Sequence, residues 1–180
     1  MSNIVLETER LVLRRLNFGD LDDLAALYAD PDVMRYFPAV RTRDETEAKL
    51  RLMIEEYDVR PGASLWATIF KADNAFIGRC GLLLQNIDGV QEWEVGYMLR
   101  AAYWGRGLAT EAARAIRDHG FRALPEAPRL ISLIRPENRP SERVAERNGM
   151  RPVREIMHAN LVHRVWAITR HEWENTASTL

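Results

Sequence analysis

The run from Glu94 to Ala112 constrains this chain more than any other: Glu94-Val95-Gly96-Tyr97-Met98-Leu99-Arg100-Ala101-Ala102-Tyr103-Trp104-Gly105-Arg106-Gly107-Leu108-Ala109-Thr110-Glu111-Ala112. A strand-like segment passes into a Gly-x-Gly loop that opens a helix. Gly105 and Gly107 have no Cβ, so the backbone can turn tightly and approach a ligand closely. The N–H groups of Arg106 through Thr110 are then the unpaired donors of a helix start, at the positive end of its dipole. Such a loop suits a diphosphate, although a lone Gly-x-Gly is more simply an ordinary strand-to-helix turn. Two other nucleotide loops fit worse. No Gly-x-x-x-x-Gly-Lys-Ser/Thr run exists, and a dinucleotide fingerprint starting at Gly105 needs glycine or alanine where Thr110 stands.

With 180 residues, 47% hydrophobic and 28% charged, the chain is long enough to bury one sizeable core without staples. We expect one domain over residues 1–174 and a loose polar tail over 175–180. Glu7 and Glu9 stand where a signal peptide would be basic, and no apolar stretch approaches the roughly 20 residues of a membrane span. A cytoplasmic protein without a membrane partner is expected. The net charge of −1 gives no global field for nucleic acid. Arginines greatly outnumber the two lysines, Lys49 and Lys71, a bias so uniform along the chain that it reads as genomic composition. Cys80 lies in an apolar strand pattern and reads as a packed small hydrophobe. The four histidines show no metal-ligand spacing, so no metal is expected.

Along the chain, Leu11, Leu13 and Leu16 mark a first strand ending near Asn17. Asn17 or Asp20 can cap a helix carrying Leu21, Leu24, Ala25, Leu27 and Tyr28 up to Asp30-Pro31. Thr42-Arg43-Asp44-Glu45 is a capping box before a second helix with Leu50, Met53, Ile54 and Tyr57 on one face, ended by Pro61-Gly62. A hairpin follows, with its turn around Asp73-Asn74 and its second strand from Phe76 to Leu84. A polar stretch, Gln85 to Gln91, leads to the strand Glu92 to Leu99. Next come a helix ending near Phe121, a strand Leu130–Ile134, a helix 138–148 closed by Gly149, and strands near 151–157 and 162–169. The order β-α-α-β-β-β-α-β-α-β-β predicts an α/β (α+β) domain: a mixed, mostly antiparallel sheet of about seven strands with four helices on its faces.

Three segments carry a resemblance to the GNAT superfamily of N-acetyltransferases. The loop Trp104-Gly105-Arg106-Gly107-Leu108-Ala109 is similar to its acyl-CoA motif Gln/Arg-x-x-Gly-x-Gly/Ala, with Trp104 at the usual Gln/Arg position. Trp-Gly-x-Gly-x-Ala-Thr-Glu-Ala resembles the branch that includes the ribosomal-protein-alanine N-acetyltransferases (RimJ/RimL type). Glu7-Thr8-Glu9-Arg10-Leu11-Val12-Leu13-Arg14 resembles the first strand of that branch. Asn138-Arg139-Pro140-Ser141, continuing to Gly149-Met150, resembles its Asn-x-x-Ser-x-x-Val/Leu-x-x-x-Gly-Phe helix. The likeness spans roughly Leu6 to Trp173.

The resemblance implies acetyl transfer from acetyl-CoA to a primary amine, a protein N-terminus or a small molecule, by direct attack. It places the coenzyme on Tyr97, Met98, Leu99, Arg100, Trp104, Gly105, Arg106, Gly107, Leu108, Ala109 and Thr110, with the pantetheine arm along the strand as a pseudo-strand. A main-chain N–H near Met98 would polarise the thioester carbonyl. Asn138 would bond the pantetheine amides, or serves simply as an N-cap. Ser141 would protonate the departing thiolate, or only helps satisfy a helix start. Glu94 is the candidate base, Glu92 on the same strand face is its rival, and water can relay the proton. His158, Asn160 and His163 border the acceptor pocket or form a plain surface hairpin, and Tyr36-Phe37-Pro38 would belong to an acceptor lid. The resemblance admits a homodimer. A second reading, a non-catalytic acyl-CoA sensor or scaffold, is weakened by the retained Asn138 and Ser141.

Overall fold

A computed structural model describes residues 3–60 and 62–177. The N-terminal segment folds as a hairpin, β1 (Ile4–Glu7) with β2 (Leu11–Arg15), because Thr8 turns the chain: its backbone N–H and its Oγ1 both face the Leu11 carbonyl. Asn17 and Asp20 form a reciprocal capping box that starts α1 (Leu21–Ala29) through one 3₁₀ turn. The expected box at Thr42 and Glu45 opens α2 (Arg43–Val59). Tyr57 fastens α2 to the sheet, its hydroxyl accepting from the Leu16 N–H at 2.8 Å and donating to the Leu65 carbonyl at 2.6 Å. At the far end of α2, Gly62 has φ +86°, while Pro61 lies outside the described residues.

The buried strand β3 (Leu65–Phe70) pairs with β4 (Ala75–Ile87), which pairs in turn with β5 (Val90–Leu99). The polar stretch Gln85 to Gln91 is therefore strand on both sides of a two-residue turn. Asp88 (φ 53°) and Gly89 (φ 82°) form it, an Asp-Gly pair whose positive φ angles match the twist of a tight hairpin. Then follow α3 (Leu108–Ala123), β6 (Arg129–Ile134), α4 (Arg139–Arg147), β7 (Arg151–His158), β8 (Leu161–Thr169) and α5 (Arg170–Ala177).

Among the described residues one eight-stranded sheet runs β1-β2-β3-β4-β5-β6-β8-β7, antiparallel except for β5 and β6. It has one strand more than expected because the first is a hairpin, and one helix more because of α5. That fifth helix is pinned at its start. Arg170 donates from Nη1 to the Phe121 carbonyl (2.9 Å) and from Nη2 to Leu124 (2.7 Å), at the negative end of α3. Trp173 stacks on Phe121 at 4.9 Å. Residues 178–180 of the expected tail lie outside the described residues.

Helices cover both faces of the sheet. Arg79 reaches Tyr28 of α1, whereas Leu82, of opposite parity on β4, lies against Gly120 of α3. The core between these layers holds Trp66, Tyr28, Phe121, Leu24, Leu50 and Ile116, all essentially inaccessible. Cys80 is buried and free, and burial pushes its thiol pKa up, away from reactivity.

Candidate active site

The parallel strands β5 and β6 stay in register at a single pair, Glu94 with Ile131. Beyond it side chains replace the ladder. The Ser132 hydroxyl donates to the Val95 carbonyl at 2.8 Å, and the Leu133 N–H points to Glu94 Oε1 at 3.4 Å. The strands then part, and a cleft of about 580 Å³ opens between them.

One end of the cleft is the glycine loop. Leaving β5, the chain makes a 3₁₀ turn and the Trp104 indole N–H donates to the Leu99 carbonyl at 2.8 Å, fixing the half-exposed ring as a wall. Gly105 (φ 72°) and Gly107 (φ 77°) are both left-handed, and Gly107 starts α3 with no side-chain cap. The first N–H groups of this helix are therefore open to a ligand, in the arrangement that binds anions. Gly107→Val would force a β-branched residue into a conformation costing roughly 1–2 kcal/mol. We expect about tenfold weaker acetyl-CoA binding by calorimetry, and undiminished affinity would remove this loop from coenzyme binding.

The loop is braced by the N-terminal hairpin, a role not legible in the sequence. Glu111, in the first turn of α3, accepts from Thr8 Oγ1 (2.5 Å), the Arg10 backbone N–H (2.9 Å) and Arg10 Nε (2.6 Å). Arg10 Nη1 also donates to the Arg106 carbonyl at 2.9 Å. Burial alone would raise the Glu111 pKa, but these bonds to Thr8 and Arg10 carry it below the usual range. One set of bonds thus joins the Thr8–Arg10 segment to the first turn of α3.

Glu94 stands where the strands part. Its Oε2 accepts from Gln85 Nε2 at 2.6 Å and it is partly accessible from the cleft. Burial pushes its pKa up, against the lowering effects of the Gln85 and Leu133 bonds and the Arg79 charge. Across the cleft, Asn138 caps α4, its Oδ1 accepting the Ser141 N–H at 3.3 Å. The N-cap role is thus present, and the Asn138 Nδ2 has no protein acceptor among the described residues. Tyr97, whose pKa burial raises, donates its hydroxyl to the Ser141 carbonyl at 3.0 Å and so ties β5 to α4. The Ser141 hydroxyl lines the cleft without a protein partner among the described residues.

The cleft therefore gathers Glu94, Tyr97, Met98, Leu99, Trp104, Gly105, Leu108, Ala109, Thr110, Asn138 and Ser141 together with Gly107. It does not gather Arg100 and Arg106. The Arg100 guanidinium pairs with Asp23 at 2.7 Å, and its backbone N–H already donates to Ile77. Arg106 lies over the rings of Phe70 (4.6 Å) and Tyr103 (5.3 Å). Glu92 also sits elsewhere, ion-paired with Arg129. Tyr36, Phe37, Pro38, His158 and His163 also line the cleft, whereas Asn160 forms the β7–β8 turn with φ 59°. The His163 pKa is lowered, chiefly by burial. Among the described residues no three His, Cys, Asp or Glu side chains are grouped as a metal site, and no helix is long and apolar enough to cross a membrane.

The profile of the Acetyltransferase (GNAT) domain family matches residues 10–151. The uncharacterized protein YkkB of Bacillus subtilis is 36% identical over 146 residues, spanning 81% of this chain and 84% of its own. A solved GNAT-family acetyltransferase from Bacillus anthracis superposes with a TM-score of 0.78 at 29% identity, over 93% of this chain and 99% of that one. RimL, a ribosomal L7/L12 alpha-N-protein acetyltransferase solved with coenzyme A, shares the fold with a TM-score of 0.76 at 19% identity, over 94% and 99% of the two chains. With its family match, its parted parallel strands and its uncapped glycine loop, this chain belongs to the GNAT acetyltransferase family.

Proposed function

We propose that the protein transfers the acetyl group of acetyl-CoA to a primary amine, on a protein N-terminus or a small molecule, by direct attack on the thioester. The observation that carries this reading is a single cleft holding the uncapped start of α3, the Glu94 carboxylate and the unpartnered Ser141 hydroxyl. Acetyl-CoA fits the residues present. The N–H groups from Gly107 through Thr110 suit its diphosphate, and the gap beyond Glu94 and Ile131 suits an extended pantetheine arm pairing like a strand. The Asn138 Nδ2 is free to bond its amides. RimL, of the same fold, is solved with coenzyme A.

In the reaction, Glu94 takes a proton from the acceptor ammonium, directly or through water. The neutral amine forms the C–N bond as the C–S bond breaks, its nitrogen releases a second proton to solvent to give the amide, and a main-chain N–H near Met98 stabilises the developing oxyanion. Ser141 supplies a proton to the coenzyme thiolate and regains one from solvent. An α-amino group has a pKa near 8, so a carboxylate with a raised pKa is better matched to the transfer than an ordinary one.

Ser141→Ala tests the acid. Proton donors of this kind contribute typically about 10²–10⁴-fold, and an aliphatic hydroxyl, a weak acid, is placed at the low end. We expect a kcat decrease of about 100-fold or less with acetyl-CoA affinity within a few-fold. An unchanged rate across pH would remove Ser141 from the mechanism, and acetyl-CoA binding without turnover on any amine would favour the sensor reading.

A further inference from the structure

The cleft also carries positive charge that the acetyl-transfer reading leaves unexplained. Arg79, in the middle of β4, is only 8% exposed. Its Nε donates to the Tyr28 hydroxyl at 2.8 Å, and its other guanidinium nitrogens have no protein acceptor among the described residues. Arg41 shares the same ring: the two guanidinium carbons lie 5.6 Å (Arg79) and 5.9 Å (Arg41) from the Tyr28 centroid. Both arginines line the cleft. A third cation, Lys49, lies behind them. Its pKa is lowered by burial and by the charges of Arg79 and Arg41, with Glu56 opposing weakly.

Of the nearby carboxylates, Asp32 is held by Arg35 at 2.6 Å and Glu56 by Arg60, while Glu94 bonds Gln85 and the Leu133 N–H and meets Arg79 only through space. Two like charges on one ring, one of them nine-tenths buried, are costly unless something anionic completes them. A tyrosine face offsets only part of that cost. Guanidinium forks match carboxylate and phosphate oxygens. Arg79 also lies close enough to Glu94 for its charge to act on that carboxyl, so an anion held there leaves a neighbouring amine at the proposed base.

We propose that the acceptor amine carries an anionic group, a carboxylate or a phosphate, that docks against Arg79 and Arg41 while its amine faces Glu94. This rests on the acetyl-transfer reading and narrows it: amino acids, phosphorylated amines and acidic N-termini are admitted, and polycations such as polyamines and aminoglycosides are repelled.

The test is thiol release from acetyl-CoA with amino acids against their amides, phosphoethanolamine against ethanolamine, and spermidine and kanamycin. Anionic amines are expected to give kcat/KM at least tenfold above their neutral counterparts, and the carboxylate and phosphate pairs distinguish the two sources. Arg79→Gln and Arg41→Gln are expected to raise KM for the anionic acceptor at least tenfold with kcat within a few-fold. They should bring the ratio between acid and amide towards one and leave calorimetric acetyl-CoA affinity unchanged. Should Arg79→Gln fail to fold, the more accessible Arg41 carries the test alone. Equal or faster acetylation of amides or polycations would overturn the acceptor assignment and leave amine acetylation standing. No thiol release with any amine, despite acetyl-CoA binding, would overturn both.

Discussion

Glu94→Gln is expected to lower kcat/KM by about 10²–10⁴-fold while the fold and coenzyme affinity persist, the loss expected for a positioned general base. Glutamine has nearly the shape of glutamate, and its Oε1 can still accept the Leu133 N–H. Its amide then meets Gln85, which can turn its own amide to present oxygen. The pH profile is the more discriminating readout. Below its pKa the Glu94 carboxyl is protonated and cannot accept a proton, so the rate falls as pH falls. Because burial raises that pKa, the acid limb of wild-type kcat/KM is expected above the ordinary carboxylate range. The variant should have no such limb. A carboxyl whose pKa is raised on folding favours the fold fully below its unfolded pKa, and that contribution is lost as pH rises through the folded value. The glutamine variant is therefore expected to be at least as stable as wild type at neutral pH. Wild-type turnover with an unaltered acid limb would exclude Glu94 as the base.

Glu111→Ala is expected to cost about 3 kcal/mol of stability, the order of losing hydrogen bonds to a charged group and leaving their donors unmet. For a chain of this size that is roughly 6–12 °C in Tm. The same variant should bind acetyl-CoA more weakly, since Arg10 would lose the anchor from which it reaches the Arg106 carbonyl. The Glu111 pKa is depressed, so its contribution is present above the unfolded carboxylate range and is lost as pH falls through the folded value. The Tm gap between wild type and variant should close in acid. Thermal melts at neutral and acid pH, paired with coenzyme titration, measure all three effects. A melt unchanged at neutral pH would mean that the brace contributes nothing.

What was legible in the sequence was local. The Thr42–Glu45 capping box, the Asp73-Asn74 turn and the passage from β5 through Gly105 and Gly107 into α3 are written in neighbouring residues, and the structure has each of them. The Asp88-Gly89 turn is harder to see in the sequence because polar residues flank it, although polar side chains are normal on an exposed hairpin. The contacts of Arg170 and Trp173 are not legible there, because their partners, the α3 carbonyls and Phe121, lie some 50 residues earlier. The resemblance, not periodicity, pointed to Ser141 and to the preference for Glu94, and the structure brings both to one cleft. The brace from Arg10 to Glu111 spans 101 positions, and no pattern of spacing encodes such a pair. The cluster of Arg41, Lys49 and Arg79 was hidden by the composition itself. In an arginine-rich chain no single arginine stands out until separate segments set two of them over one tyrosine.

The lone registered pair between β5 and β6 also bears on how the chain assembles. From β1 to β5, spatial order equals chain order, so this half-sheet can grow by adding each strand to its predecessor. On the other side β6 takes its antiparallel neighbour only after α4 and β7 have been passed, because β8 lies between β6 and β7. Loop closure over that separation is slower than a hairpin. Two half-sheets that grow in different ways therefore meet along one seam, and among the described residues the pair Glu94–Ile131 is the sparsest joint between neighbouring strands of the sheet. The gap on which the proposed chemistry depends is the place where the sheet was never fully sewn.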